Sequence, residues 1–235
     1  MKNSAKYFQL NFIKKEKVSK DVFSFYFNRL KHDSLGQLGF LAGQYVHIYL
    51  PIVNEKGRGD SRMFTISSSP LEEDYLVITT KKGKSLFKKT LFNLKENTSV
   101  KFFGPSGGLV LNEKKKISYV FLALGIGITL FRSIIKYVSQ KNIKIPITLI
   151  VSFSKKEDFL FYSELSKISK SNPSIKVVYA LNRIDKKLIK KYIKNVSKYV
   201  YFLVGSPSGV IDLEEVVSEM GVENNNIFIE DFEGY

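Results

Sequence analysis

The chain has 235 residues, 44% hydrophobic and 25% charged, which is enough for one large or two modest domains with real cores. It has no cysteine and only two histidines, His32 and His47. That excludes a disulfide scaffold, thiolate zinc, a catalytic thiol and a Cys-held iron–sulfur cluster, so no metal is expected and any redox chemistry needs an organic cofactor.

Taken in chain order, MKNSAKYFQL carries charge with no apolar stretch behind it, which predicts no signal peptide and a cytoplasmic protein. Strands are expected at 7–14, 22–28, 45–50, 75–80 and 99–103, with turn-forming clusters between them and a short helix at 86–94. This spacing suggests an antiparallel barrel or sandwich to about residue 113. Lys114, Lys115 and Lys116 read as a linker, and the period then changes. Strand 119–124 leads to helix 130–138, strand 147–152, helix 157–168, strand 175–180 and helix 185–192. Strand 199–204, helix 213–220 and strand 227–230 complete a doubly wound parallel sheet over 114–235. The apolar run 119–131 has 13 residues, short of the roughly 20 a membrane span needs, and reads as a buried strand entering a helix. No integral membrane segment is expected.

The formal charge is +15. Its lysines are scattered in twos and threes (Lys14-Lys15, Lys81-Lys82, Lys186-Lys187) without interleaved aromatics, a pattern of solvated side chains rather than of a nucleic-acid surface. An acidic protein partner is compatible with it.

Certain segments can carry chemistry. Leu124-Gly125-Ile126-Gly127-Ile128-Thr129 sits where a strand enters a helix, so backbone without Cβ and free helix N–H groups can meet a pyrophosphate there, with Thr129 as a candidate N-cap. Gly205-Ser206-Pro207-Ser208 forms a second such turn, expected on the same sheet edge. Ser154 and Lys155, following another strand, suit a ribose 2′-phosphate and lean toward NADPH. In the first half, Arg62-Met63-Phe64-Thr65 places a cation, a ring and a hydroxyl on one strand, with Arg62 and Phe64 on one face and Met63 and Thr65 on the other. A Ser-rich turn beginning Ser67-Ser68-Ser69 follows. Gly83-Lys84-Ser85 precedes the short helix and can hold phosphate.

These segments, in this order, resemble the ferredoxin–NADP reductase superfamily. RMFTISSSP resembles its flavin motif, GKSLFKKTL its second flavin-phosphate segment, and GPSGGLVL its Gly-Pro-x-Gly turn. ALGIGITLFRSII resembles its nicotinamide motif, VSFSKKEDFLFYSEL its adenosine-ribose segment, LVGSPSGV its Gly-Pro-Pro turn and EDFEGY its acidic-aromatic terminus. The resemblance implies a short FAD-dependent reductase, an N-terminal FAD-binding β-barrel followed by an NAD(P)-binding α/β domain. It implies that Arg62 pairs with the FAD pyrophosphate, Phe64 lies on the flavin, Thr65 approaches flavin N5, and Ser67, Gly83, Lys84 and Ser85 belong to the flavin site. Gly125, Gly127, Thr129, Ser154, Lys155, Gly205 and Pro207 would hold NADPH or NADH, and Glu230, Phe232 and Tyr235 form the terminal segment, with Thr65 and Phe232 nearest the hydride. Leu124, Leu130 and Val204 depart from the motif's glycine, proline and Cys/Ser.

The implied activity is electron transfer from NAD(P)H through flavin to an external acceptor: ferredoxin, flavodoxin, another redox protein or a small oxidant. A non-catalytic flavin-binding relay or regulatory subunit is the alternative, and a nucleic-acid or membrane-surface protein would rest on charge alone.

Overall fold

The computed structural model describes residues 5–29, 39–52, 60–113 and 117–232. His32, Lys114 to Lys116 and Tyr235 lie outside the described residues. The chain divides into two compact units, Met1–Val110 and Leu111–Gly234.

The first unit holds β1 (Lys6–Lys17), β2 (Val22–Asn28), β3 (Tyr45–Tyr49), β4 (Ser61–Thr65), β5 (Tyr75–Lys81), helix α1 (Leu86–Phe92) and β6 (Ser99–Ser106). Its antiparallel sheet has the order β4-β3-β6-β1-β2-β5. Alternation drives this arrangement: Phe8, Leu10 and Phe12 point inward from β1 and meet Phe25, Phe27, Ile48, Ile78 and Phe102 in one core. β1 turns the corner. Its first half pairs with β6, its second half with β2, and the register shifts between Phe12 and Lys14, as a bulge that bends a strand does. The ends of the sheet meet through the bridge Ile66↔Ile78, so the sheet closes into a barrel.

The second unit holds β7 (Ser118–Leu124), α2 (Ile128–Gln140), β8 (Ile147–Phe153), α3 (Tyr162–Ser171), β9 (Ile175–Leu181), α4 (Lys186–Tyr192), β10 (Tyr199–Gly205), α5 (Pro207–Ser218) and β11 (Ile227–Asp231). The sheet is parallel, in the order β11-β10-β7-β8-β9. Central β7 is buried from Tyr119 to Ala123, the continuous apolar run expected of a strand covered on both faces. On one face Val120, Leu122 and Ile150 pack with residues of α4 and α5; Phe121 stacks on Phe131 of α2, with centroids 4.5 Å apart. Among the described residues no helix is long and apolar enough to cross a membrane.

The helix expected at 157–168 is broken. A 3-10 turn at Lys156–Asp158 precedes α3, and Phe161 is left-handed at φ 56°, a conformation costing roughly 1–2 kcal/mol. Tertiary contacts outweigh propensity here. Phe159 joins Phe153 and Tyr179 (5.5 and 5.0 Å), while the Arg132 guanidinium lies 5.0 Å from the Phe161 ring. Helix α5 starts at Pro207, earlier than its periodicity suggests, because proline suits a first helical position.

Candidate functional site

In the first unit the site grows from β4. Arg62 and Phe64 pair with Ile48 and Val46 and are 8% and 9% exposed, whereas Met63, on the opposite face, is 48% exposed. Thr65, expected on the outer face with Met63, is instead buried, since the barrel closes at the next residue, Ile66. Its hydroxyl has no hydrogen-bond partner among the described residues. The Arg62 Nη1 donates to the Ser61 carbonyl at 2.6 Å, and its guanidinium lies 5.3 Å from the Phe87 ring. Phe64 stacks on Phe87 at 5.9 Å.

The structure sorts the other flavin-side candidates. Ser67 is wholly buried; its hydroxyl donates to the Val77 carbonyl at 3.1 Å and contacts the Thr79 hydroxyl at 2.9 Å. Both of these contacts lie inside the barrel. Ser85 is the N-cap of α1 and accepts from the Lys88 N–H at 3.3 Å. Lys84 is exposed. Lys88, inside the GKSLFKKTL segment but not among the site residues expected from it, is the buried lysine beside Arg62.

In the second unit, β7 connects through α2 to β8 on one side, and the chain later returns to place β10 on the other. The carboxyl ends of β7 and β10 therefore form the topological switch point where open α/β sheets bind ligands. Both glycine turns lie there. Gly125 has φ +54°, and a Cβ on it would meet nothing within 4 Å, so it faces open space. Gly127 differs: a Cβ there would stand 2.6 Å from the Val204 carbonyl oxygen, so this glycine lets the helix start lie close to β10. Thr129 is not an N-cap; it sits within α2 and its hydroxyl donates to the Ile126 carbonyl at 2.9 Å.

Gly205 ends β10, and its carbonyl accepts from the Phe232 N–H at 2.7 Å. Pro207 is exposed at the start of α5. Glu230 lies level with Val204 on the neighbouring strand. Burial first, and the adjacent Asp231 second, push its carboxyl up to about 7. Ser154 and Lys155 are exposed beyond β8.

Residues 9–111 match the family described as the oxidoreductase FAD-binding domain, and residues 121–208 match the oxidoreductase NAD-binding domain. The chain belongs to the ferredoxin–NADP reductase superfamily. It is 27% identical to the flavohemoprotein of Bacillus subtilis (strain 168), covering 93% of this chain and 57% of that protein. It is 25% identical to the toluate 1,2-dioxygenase electron transfer component of Pseudomonas putida, covering 86% and 62%. The chain thus spans about three-fifths of the length of these relatives. Its fold is similar to that of the Plasmodium falciparum ferredoxin-NADP+ reductase, with a TM-score of 0.78 at 19% identity, over 96% of each chain.

FAD and a nicotinamide dinucleotide are the cofactors of these two domains, and the residues present fit them. The unsatisfied Thr65 hydroxyl, the flat faces of Phe64 and Phe87 and two buried cations suit a polar-edged ring with a phosphate chain. The open, left-handed Gly125 suits close approach of a second dinucleotide. The superfamily's departures also have a structural meaning here. The Leu124 side chain occupies the space a Cβ would need at Gly205 and Gly209, and Leu130 is fully buried in the core as part of α2.

Proposed function

We propose that this protein takes hydride from NAD(P)H onto FAD and passes the electrons to an external acceptor, an acidic redox protein such as a ferredoxin or flavodoxin, or a small oxidant. The observation that carries this reading is the partnerless, buried Thr65 hydroxyl beside Arg62 and Phe64, on a chain with an open glycine turn at the switch point of a nucleotide-type sheet. FAD supplies what the side chains lack, acceptance of a hydride and release of single electrons. The protein's part is binding and orientation. Arg62 neutralises diphosphate charge, Phe64 offers a flat apolar face, and Thr65 presents a hydroxyl at a buried position. The backbone at Gly125 and Gly205 shapes the nicotinamide side. Ser154 and Lys155, both exposed, support NADPH as the donor. The similarity to the Pseudomonas putida electron transfer component supports a protein acceptor.

A flavin-binding relay without its own donor is the second reading, and the Leu124 side chain against Gly205 and Gly209 favours it. The deciding experiment is the visible spectrum of the FAD-loaded protein during anaerobic addition of NADPH and then NADH. Bleaching at catalytic rates supports the reductase, and the faster donor identifies the nicotinamide. Flavin that stays oxidised with both donors supports the relay.

A further inference from the structure

Lys88 is the fourth lysine in the stretch from Lys81, and only its surroundings set it apart. It is 8% exposed, whereas Lys81, Lys82, Lys84 and Lys89 are solvated. Its stem lies over Gly83, where a Cβ would come within 3.0 Å of Lys88 Cγ, so the glycine makes the room the lysine occupies. The ammonium donates to the Thr80 hydroxyl and sits 4.8 Å from the Phe64 ring centroid. Phe64 stacks on Phe87, which carries the Arg62 guanidinium. Two cations and two rings thus form one cluster at the border of the barrel core.

Among the described residues no carboxylate balances Lys88. The influences on its ammonium are burial first and the Arg62 charge second, and together they pull it down to about 8. A buried cation placed beside another cation destabilises the fold unless an anion joins them. The cofactor this superfamily binds carries such an anion.

We propose that Lys88 is a direct ligand of the FAD diphosphate, completing with Arg62 a buried pair of cations, and that Gly83 is there to let its stem lie flat. This rests on the flavin-binding reading above. It assigns the phosphate-binding charge to the helix residue rather than to Lys84 of the glycine segment.

The test uses the full chain stripped of flavin, with FAD and riboflavin titrated by quenching of flavin fluorescence. Lys88→Met should weaken FAD about 10- to 100-fold, the size of a lost charge-assisted hydrogen bond, with riboflavin binding unchanged. Lys88→Arg should keep most FAD affinity, and Lys89→Met, at the exposed neighbour, should bind FAD as the wild type does. Without flavin, Lys88→Met should melt no lower than wild type, because it removes an uncompensated buried charge. FAD affinity within twofold of wild type in Lys88→Met would overturn the assignment. So would equal weakening of FAD and riboflavin with a lower melting temperature, which marks a lysine that only props the barrel. Wild-type protein that takes up no FAD would overturn the flavin reading as well, and the control titration separates the two failures.

Discussion

A buried hydroxyl without a partner costs about 1–3 kcal/mol, a cost that a bound group partnering Thr65 would remove. Thr65→Val keeps its shape and removes the oxygen. The apoprotein should be as stable as wild type or more so, while flavin reduction by NAD(P)H should slow about tenfold or more, as when a hydrogen bond to developing charge is lost. Stopped-flow bleaching of the FAD-loaded variant checks this, and an unchanged rate would remove Thr65 from the reacting centre. Glu230 makes a prediction about pH. Its carboxyl sits at about 7 when folded against 4.5 ordinarily, so between those values the native chain holds more protons than the unfolded one. Stability from this group is present at low pH, falls as pH rises through that window, and is flat above it. The difference in urea midpoint between wild type and Glu230→Gln, followed across the window, should show that slope; parallel curves would show an ordinary carboxylate. Residue-level chemistry was only partly legible in the sequence. Arg62 and Phe64 stood out because strand alternation places them together, whereas Lys88 looked like any other lysine in a chain with 37 Lys and Arg. Burial alone distinguishes it. That the Ser67 hydroxyl bonds within the barrel likewise has no sequence mark.

At the scale of elements, the glycines at the switch point do different work, which a substitution series can separate. Gly127→Ala drives a methyl into the Val204 carbonyl, 2.6 Å away, and backbone on both sides leaves little room to yield. It should cost about 1–3 kcal/mol by urea denaturation. Gly209→Ala meets Leu124 Cδ1, at 2.4 Å, the far end of a side chain that can move. That variant should cost less, and Leu124→Ala should restore Gly209→Ala but not Gly127→Ala. Failure of that rescue would mean that Leu124 and Gly209 are not coupled. The positions of these turns were readable because each follows a strand in an alternating β/α pattern. The break at Phe161 was not, because the helical pattern continues through it and only the ring contacts of Phe159 and the Arg132 charge oppose it.

For the molecule as a whole, two periods of apolar residues made both architectures legible, two-residue alternation in the barrel and strand–helix alternation in the parallel sheet. Barrel closure was not, as it depends on the bulge in β1 and one bridge at Ile66. Net charge is the remaining whole-molecule property, +15 over 235 residues. Some of it is locally paired, as in Lys14 with Glu16 at 2.6 Å and Lys186 with Glu219, but such exposed pairs leave the long-range field of the excess cations intact. A field of that sign accelerates encounter with an acidic acceptor and is screened as ionic strength rises, with a Debye length of about 8 Å at physiological salt. The second-order rate of electron transfer from the NAD(P)H-reduced protein to an acidic ferredoxin or flavodoxin should therefore fall about tenfold or more from low to physiological salt. The rate with a neutral quinone should not change. If both rates respond alike, the charge plays no part in choosing the acceptor; if only the protein acceptor responds, the lysines that look merely solvated in the sequence act together as a steering surface.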